Sequence, residues 1–206
     1  MNEAEQLAAS LSSVVHDERV LAALARTPRE RFVLAEDRDR AYENIALPIG
    51  CGQTISQPVV VARMLDLLEL TEADRVLDVG TGSGYHAAVL ARLCRHVWTV
   101  ERHAELAWAA ANILAELGLA NVTCLCGDGG VGVPDEAPFD AINVAAAAGA
   151  AVPRALEAQL APGGRLVAPV GWPDQHLTRI RRSRDGVHRE RLDPVRFVPL
   201  VSGEEP

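Results

Sequence analysis

Residues 76–85 read Val76-Leu77-Asp78-Val79-Gly80-Thr81-Gly82-Ser83-Gly84-Tyr85. Val76 to Val79 is a short apolar run of the kind that fills a buried parallel strand. Three glycines at alternate positions follow it, and a helical pattern then runs from Tyr85 to Leu93. Glycine permits a tight turn here and lets the backbone come close to a ligand. A dinucleotide fingerprint requires GxGxxG. The spacing here is GxGxG, with Tyr85 where the last glycine would fall and Asp78 two residues ahead of the first. A carboxylate facing the ligand is a poor neighbour for pyrophosphate and a good one for a cationic amino-acid tail, which disfavours a nicotinamide cofactor.

Working outward, His96–Val100 reads as a second strand. A helix over His103–Leu117 follows, with Leu106, Ala110, Ile113, Leu114 and Leu117 on one stripe and Gly118 as its C-cap. Val122–Cys126 and Phe139–Val144 are strands, Pro153–Leu160 a helix and Gly164–Val170 another strand. Leu177–Arg182 and Val187–Val198 close the chain as strands about a turn at Gly186. Strands alternating with helices of this length predict βαβ units. The expected fold is α/β, a Rossmann-like open, mostly parallel twisted sheet with helices on both faces and an antiparallel edge from the two closing strands. A helical addition precedes it. Ala4–Val15 is one helical pattern; a second starts after Asp17, an N-cap, and places Val20, Leu21 and Leu24 together before Thr27-Pro28 stops it. Pro28 to Pro58 reads as irregular and turn-rich, and a helix begins at Pro58 with Val61, Met64, Leu65 and Leu68 in phase. No repeat or linker divides the chain, so residues 1–206 read as one domain, with 1–58 an N-terminal segment and 59–206 the sheet-bearing core.

The 206 residues are 49% hydrophobic, enough for a full core, and carry a formal net charge of −8. That balance argues against a nucleic-acid partner, which needs a basic surface. All 20 basic residues are arginine, which excludes a Schiff-base or P-loop lysine. The opening MNEAEQ lacks the positive and apolar regions of a secretory signal, and the least polar stretch, Ala141–Pro153, is far short of a membrane span. A cytoplasmic protein with no membrane partner is expected. Cys51, Cys94, Cys124 and Cys126 form no CxxC pair and are expected to be buried free thiols. The six histidines show no metal-ligand spacing. Arg179, Arg181, Arg182 and Arg184 read as a solvated edge strand, a run that an acidic peptide could also use.

Two further features sit at strand ends. Glu101 lies about 20 residues beyond Gly80, where doubly wound folds place a carboxylate on the ribose hydroxyls. Gly127-Asp128-Gly129 follows the third strand, where an adenine edge would lie. Together with VLDVGTGSGY these resemble the class I S-adenosylmethionine-dependent methyltransferases. LPIGCGQTISQP (Leu47–Pro58), PFDAINVAAAA (Pro138–Ala148), LAPGGRLVAPVG (Leu160–Gly171) and VRFVPLV (Val195–Val201) are similar to a narrower group, the protein-L-isoaspartate O-methyltransferase family. The resemblance runs from about Asp17 to Val201, and QTISQP is its most diagnostic piece.

The resemblance implies S-adenosyl-L-methionine as cofactor, no metal, and methyl transfer to the free α-carboxylate of L-isoaspartyl residues in damaged proteins and peptides. The ester then cyclises to a succinimide. It implies Gln53, Thr54, Asp78, Gly80, Thr81, Gly82, Ser83, Gly84, Glu101, Arg102, Gly127, Asp128 and Gly129 around the cofactor, with Asp78 and the glycines on its methionine part, Glu101 on the ribose and Asp128 on the adenine. It marks Ser56 as the residue on which activity depends, with Thr54 a second donor to the substrate, and a monomer as the working form. An acceptor carboxylate with a pKa of about 4 is ionised at neutral pH and needs no general base, so the absence of a Ser/His/Asp set fits. Ser56 lies at the mouth of a helix whose free N–H groups favour an anion; the plain alternative is that it caps that helix. Gly130 stands where many members carry a larger residue, and Ala145 replaces a common Thr or Gly, in a run of small residues to Ala151. Two other readings stay open: a carboxyl methyltransferase that matures one dedicated peptide, and a non-catalytic cofactor-binding protein.

Overall fold

Capping residues set the N-terminal helices of the computed structural model, which describes residues 1–201 and 203. Helix α1 (Glu3–Ser10) opens on a capping box in which Glu5 N donates to Asn2 Oδ1 at 2.9 Å and Asn2 N donates to Glu5 Oε2 at 2.8 Å. It stops short of the expected Val15. Ser10 Oγ donates back to Leu7 O at 2.7 Å, and the chain continues through Ser12-Ser13 in turns, since serine hydroxyls compete with the helical ladder. Helix α2 (Glu18–Ala25) starts at Asp17, whose carboxylate accepts from Arg19 N as expected. Two short 3-10 turns follow, Arg29–Phe32 and Ala35–Arg40.

The stretch read as irregular also holds a hairpin. Strands β1 (Leu47–Gly50) and β2 (Gln53–Ile55) pair antiparallel around a turn in which Gly50, Cys51 and Gly52 all have positive φ. Segments of four and three residues are too short to reveal a period of two. Helix α3 (Pro58–Leu67) then begins on its proline and buries Val61, Met64 and Leu65.

The remaining elements alternate as expected: β3 (Arg75–Val79), α4 (Tyr85–Leu90), β4 (His96–Glu101), α5 (Ala104–Glu116), β5 (Val122–Cys126), β6 (Phe139–Val144), α6 (Arg154–Ala158) and β7 (Leu160–Val170), closed by β8 (Gln175–Ser183) and β9 (Gly186–Val195). They form one sheet in the order β5-β4-β3-β6-β7-β8-β9. Strands β3 to β7 are mutually parallel, whereas β8 and β9 join antiparallel. Successive strands run outward from β3 to β5 on one side, and from β6 onward on the other. That reversal opens a crevice at the carboxyl ends of the strands.

Each face of the sheet has its own core. Val76 packs with α3, α4 and the N-terminal helices, through Leu24, Met64, Leu65, Tyr85 and Leu90. Leu77 and Val79 point the other way, into Trp98, Phe139, Ile142 and Leu156. Residues 1–58 therefore share the core of the first face.

Two expectations change. The arginine-bearing strand β8 is not the edge, because β9 covers it. Arg179 pairs with Glu190 at 2.6 Å and Glu69 at 3.0 Å, and Arg181 also pairs with Glu69. Only Cys94 is a buried thiol, pushed up to about 12 by desolvation; Cys124 is half-buried, and Cys51 and Cys126 are exposed. Cys51 sits in the exposed hairpin turn, and Cys126 falls where β5 runs out. Among the described residues no helix is long and apolar enough to cross a membrane.

Candidate active site

The turn from β3 to α4 works only with glycine. Gly80, Gly82 and Gly84 have φ of +89°, +53° and +91°, conformations that side-chain-bearing residues avoid. A Cβ on Gly84 would lie 3.1 Å from Ala110 Cβ of α5, and one on Gly82 would lie 3.2 Å from Ile49 Cδ1 of the hairpin. The loop is thus pressed between a helix behind it and the hairpin in front. Its backbone is pinned to β4 by Gly80 N donating to Val100 O at 2.9 Å.

Beneath the loop lies Asp78, with none of its surface exposed. Asn143 Nδ2 donates to its Oδ1 at 2.8 Å, and Thr99 Oγ1 donates to its Oδ2 at 2.8 Å. Thr99 has one proton and gives it to Asp78, so Thr81, 2.6 Å away, donates to Thr99. Burial pushes the Asp78 carboxyl up to about 6, with Glu101 adding to the rise and the bonds from Asn143 and Thr99 opposing it. The expectation that this side chain faces the methionine part of a ligand is corrected: it points under the loop and ties Thr81 to the sheet.

Glu101 closes the loop from the front. Its Oε2 accepts from Gly82 N at 2.9 Å and its Oε1 from His103 N at 3.1 Å, with the side chain 6% exposed. It lines a cleft of about 590 Å³ together with Gln53, Thr54, Gly80, Gly82, Arg102 and Gly129. A Cβ on Gly129 would strike Val79 Cγ1 at 2.6 Å, so the β5 end lies flat against the end of β3. Gly127 is exposed, its N bonded to Glu101 O at 2.9 Å. The Asp128 carboxylate accepts from Gly130 N and from Gly203 N, each at 2.7 Å. Gly84, Gly127 and Asp128 support the cleft without lining it.

The segment after β9 forms the other wall, a feature the sequence reading took for the end of a strand. Ala147 N donates to Val198 O and Leu200 N to Ala147 O, both at 2.8 Å, and Arg102 Nη1 donates to Val201 O at 3.1 Å. Val198 to Val201 therefore lie along the cleft.

Beside the cleft, and sharing Thr54, Gly80, Gly82 and Ala145 with it, is a pit of about 40 Å³ lined by Ser56, Thr81, Ser83, Tyr85 and His86. Ser56 does not cap α3; Gln57 is the N-cap residue, its own side chain makes no cap bond, and Asn44 Oδ1 accepts from Val59 N at 3.0 Å instead. The Ser56 carbonyl is held instead by Arg29 Nη2 at 2.8 Å. Arg29 is completely buried, also donates from Nε to Ala41 O at 2.8 Å, and rests its guanidinium 4.9 Å from the Tyr85 ring centroid. Among the described residues it has no ion pair, and burial lowers it to about 10. The buried His86 Nε2 has no partner in the described structure. Desolvation, with the nearby Arg29 charge, lowers His86 to about 4, so it is neutral at physiological pH. Nothing in the periodicity of TPRERF marked Arg29. Among the described residues no cluster of three His, Cys, Asp or Glu side chains is placed to hold a metal.

An open parallel sheet, a glycine loop at its switch point and a carboxylate at the end of the next strand define an S-adenosylmethionine-dependent methyltransferase of class I. The chain belongs to the protein-L-isoaspartate(D-aspartate) O-methyltransferase family, whose model it matches over residues 2–205. It is 54% identical over 193 residues to the protein-L-isoaspartate O-methyltransferase of Parvibaculum lavamentivorans, covering 92% of this chain and 86% of that protein. With the Rhodospirillum rubrum protein of the same name it shares 55% identity over 191 residues, 91% of this chain and 87% of the relative. A solved protein-L-isoaspartate O-methyltransferase superposes with a TM-score of 0.87 at 28% identity, covering 97% of this chain and 66% of that one. A Plasmodium falciparum structure described as a member of the same group, in complex with S-adenosyl-L-homocysteine, gives a TM-score of 0.84 at 25% identity over 98% of this chain and 100% of its own.

Proposed function

We propose that the chain transfers a methyl group from S-adenosyl-L-methionine to the free α-carboxylate of L-isoaspartyl residues in damaged proteins and peptides. This begins a repair that proceeds through a succinimide. The observation that carries the reading is the small pit bordered by Ser56 that adjoins the cleft through Thr54, Gly80, Gly82 and Ala145.

The cleft suits the cofactor: about 590 Å³ lies within the range that holds a ligand of that size, and Glu101 offers two adjacent carboxylate oxygens. When bound, the cofactor supplies an electrophilic methyl group. Glu101 would hold its ribose hydroxyls, exchanging the backbone N–H groups that now occupy its oxygens. The backbone of Gly80 and Gly82, with Gln53, would hold the methionine part on a loop completed by Thr81, Ser83 and Gly84, and Gly129, carried by Gly127 and Asp128, would border the adenine beside Arg102. The substrate carboxylate arrives ionised, so no residue has to remove a proton. Ser56 donates its hydroxyl to one carboxylate oxygen and Thr54 supplies a second donor, which leaves the remaining oxygen aligned for attack. Arg29 fixes the Ser56 backbone and places an unneutralised positive charge behind the pit, favourable to an incoming anion.

The test is to incubate the protein with an L-isoaspartyl peptide and S-adenosyl-L-methionine and follow products by chromatography. Methyl ester, then succinimide, then normal aspartyl peptide is the expected order; an unchanged peptide rejects the reading.

A further inference from the structure

The cleft continues beyond the candidate active site. Thr54, Val198 and Pro199 border both it and a groove of about 740 Å³. One bank of the groove is the Trp172–His176 segment that enters β8, and the other is the end of β9 with the segment that follows. The two banks are fastened together. Gln175, 4% exposed, donates from Nε2 to Phe197 O at 3.0 Å and accepts at Oε1 from Phe197 N at 2.6 Å. A side-chain amide here does the work of a strand and fixes the wall that carries Arg196 and Val198.

The groove lining is more basic than the chain as a whole, with Arg191 and Arg196 against Asp174. The chain carries a net −8, and three other arginines of β8 and β9 are paired with glutamates. Arg179 and Arg181 pair with glutamates as described above, and Arg189 pairs with Glu157. A second depression, between α3 and strands β8 and β9, is self-neutralised, with His16 and Arg63 both on Asp66 and Arg179 on Glu69 and Glu190. In the groove, Arg196 is exposed and has no ion pair or hydrogen bond among the described residues. Among the described residues the Arg191 side chain bonds only to His176, donating from Nη2 to Nδ1 at 2.8 Å. Asp174 is the single carboxylate of its lining. At the rim the Trp172 side chain stands 72% exposed, a large apolar surface of the kind that marks a contact site.

We propose that this groove receives the polypeptide flanking the isoaspartyl residue of the substrate, that Arg191 and Arg196 favour acidic side chains in that flank, and that Trp172 packs on its backbone or apolar side chains. This deepens the function proposed above and rests on it. A protein substrate whose carboxylate sits at Ser56 and Thr54 must lead its chain away from that point. The groove starts at Thr54, has rigid banks, and carries the charge complementary to an acidic segment.

The experiment uses a neutral L-isoaspartyl host peptide and variants carrying paired Glu, Gln or Lys on either flank, with KM and kcat measured at low and high salt. The Glu peptide is expected to show a KM about three- to tenfold below that of the Lys peptide, the range that two exposed charge pairs supply. That ratio should shrink at high salt. In the R191Q/R196Q protein it should fall close to one, while R191K/R196K retains most of it; S-adenosyl-L-homocysteine affinity reports that each variant is folded. A KM indifferent to flank charge, or a preference that survives in R191Q/R196Q, overturns the groove's role while the methylation itself stands. Absence of methylation on every isoaspartyl peptide overturns the functional reading and the groove's role with it.

Discussion

His86→Gln removes one of two buried groups beneath the candidate site that titrate in opposite directions. Burial lowers His86 from 6.5 to about 4, so the folded protein resists protonating it. Its contribution is fully present above pH 6.5 and is lost as pH falls toward 4. Between pH 7 and pH 5 the loss amounts to about 2 kcal/mol, from the standard relation between a pKa change and free energy. Asp78 behaves inversely. With its folded pKa raised from 3.8 to about 6, the folded state binds the proton more readily than the unfolded chain, so stability grows as pH falls through 6. Over the same interval it gains about 1 kcal/mol. The two partly offset each other in the native protein. Glutamine is a good helix former and carries no titrating ring. Urea unfolding of the variant and the native protein at pH 7, 6 and 5 should show the difference in unfolding free energy shifting by about 2 kcal/mol in favour of the variant as pH falls. A difference that stays constant over this range would refute the placement of a neutral, desolvated His86 beneath the pit.

Ser56→Ala should lower kcat strongly while S-adenosyl-L-homocysteine affinity stays within a few-fold, as calorimetry and steady-state kinetics would show; comparable loss of both would make Ser56 a cofactor contact. Glu101→Ala should do the reverse. Loss of charge-assisted hydrogen bonds worth about 1.5–3 kcal/mol weakens the cofactor roughly ten- to a hundredfold, and an unchanged dissociation constant would remove Glu101 from the ribose. Arg29→Met leaves the Ser56 and Ala41 carbonyls without their charged donor. Unfolding free energy should drop by about 3 kcal/mol or more along with turnover, and a stability within about 0.5 kcal/mol of native would show that Arg29 anchors nothing.

The sheet and its glycine loop were legible because their signals are local. Three apolar residues around Asp78, three glycines and a helical stripe fall within a few turns of one another, and the Glu101 position follows by counting from them. Asp78 was misplaced for a reason that the strand period itself supplies. Val76 and Asp78 are two apart on β3 and share a face, and Val76 lies in the helix-covered core; treating Asp78 as part of the loop ignored that alternation. The hairpin at Leu47–Ile55 was hidden by its brevity. Arg29 and the segment from Val198 to Val201 act across long sequence separations, Arg29 on Ser56 and the tail on Ala147 and Arg102, and no periodicity records such contacts. Arg179 and Arg181 of β8 looked available from the sequence because their partners, Glu69 and Glu190, come from elsewhere in the chain; the arginines that line the groove lie instead at 191 and 196.

The central claim is most directly tested by methyl transfer from labelled S-adenosyl-L-methionine to two synthetic peptides identical except for an L-isoaspartyl or an L-aspartyl linkage. The account predicts label on the isoaspartyl peptide alone, released by mild base as expected of an ester. Label on both peptides equally, or on neither while S-adenosyl-L-homocysteine still binds, would contradict it.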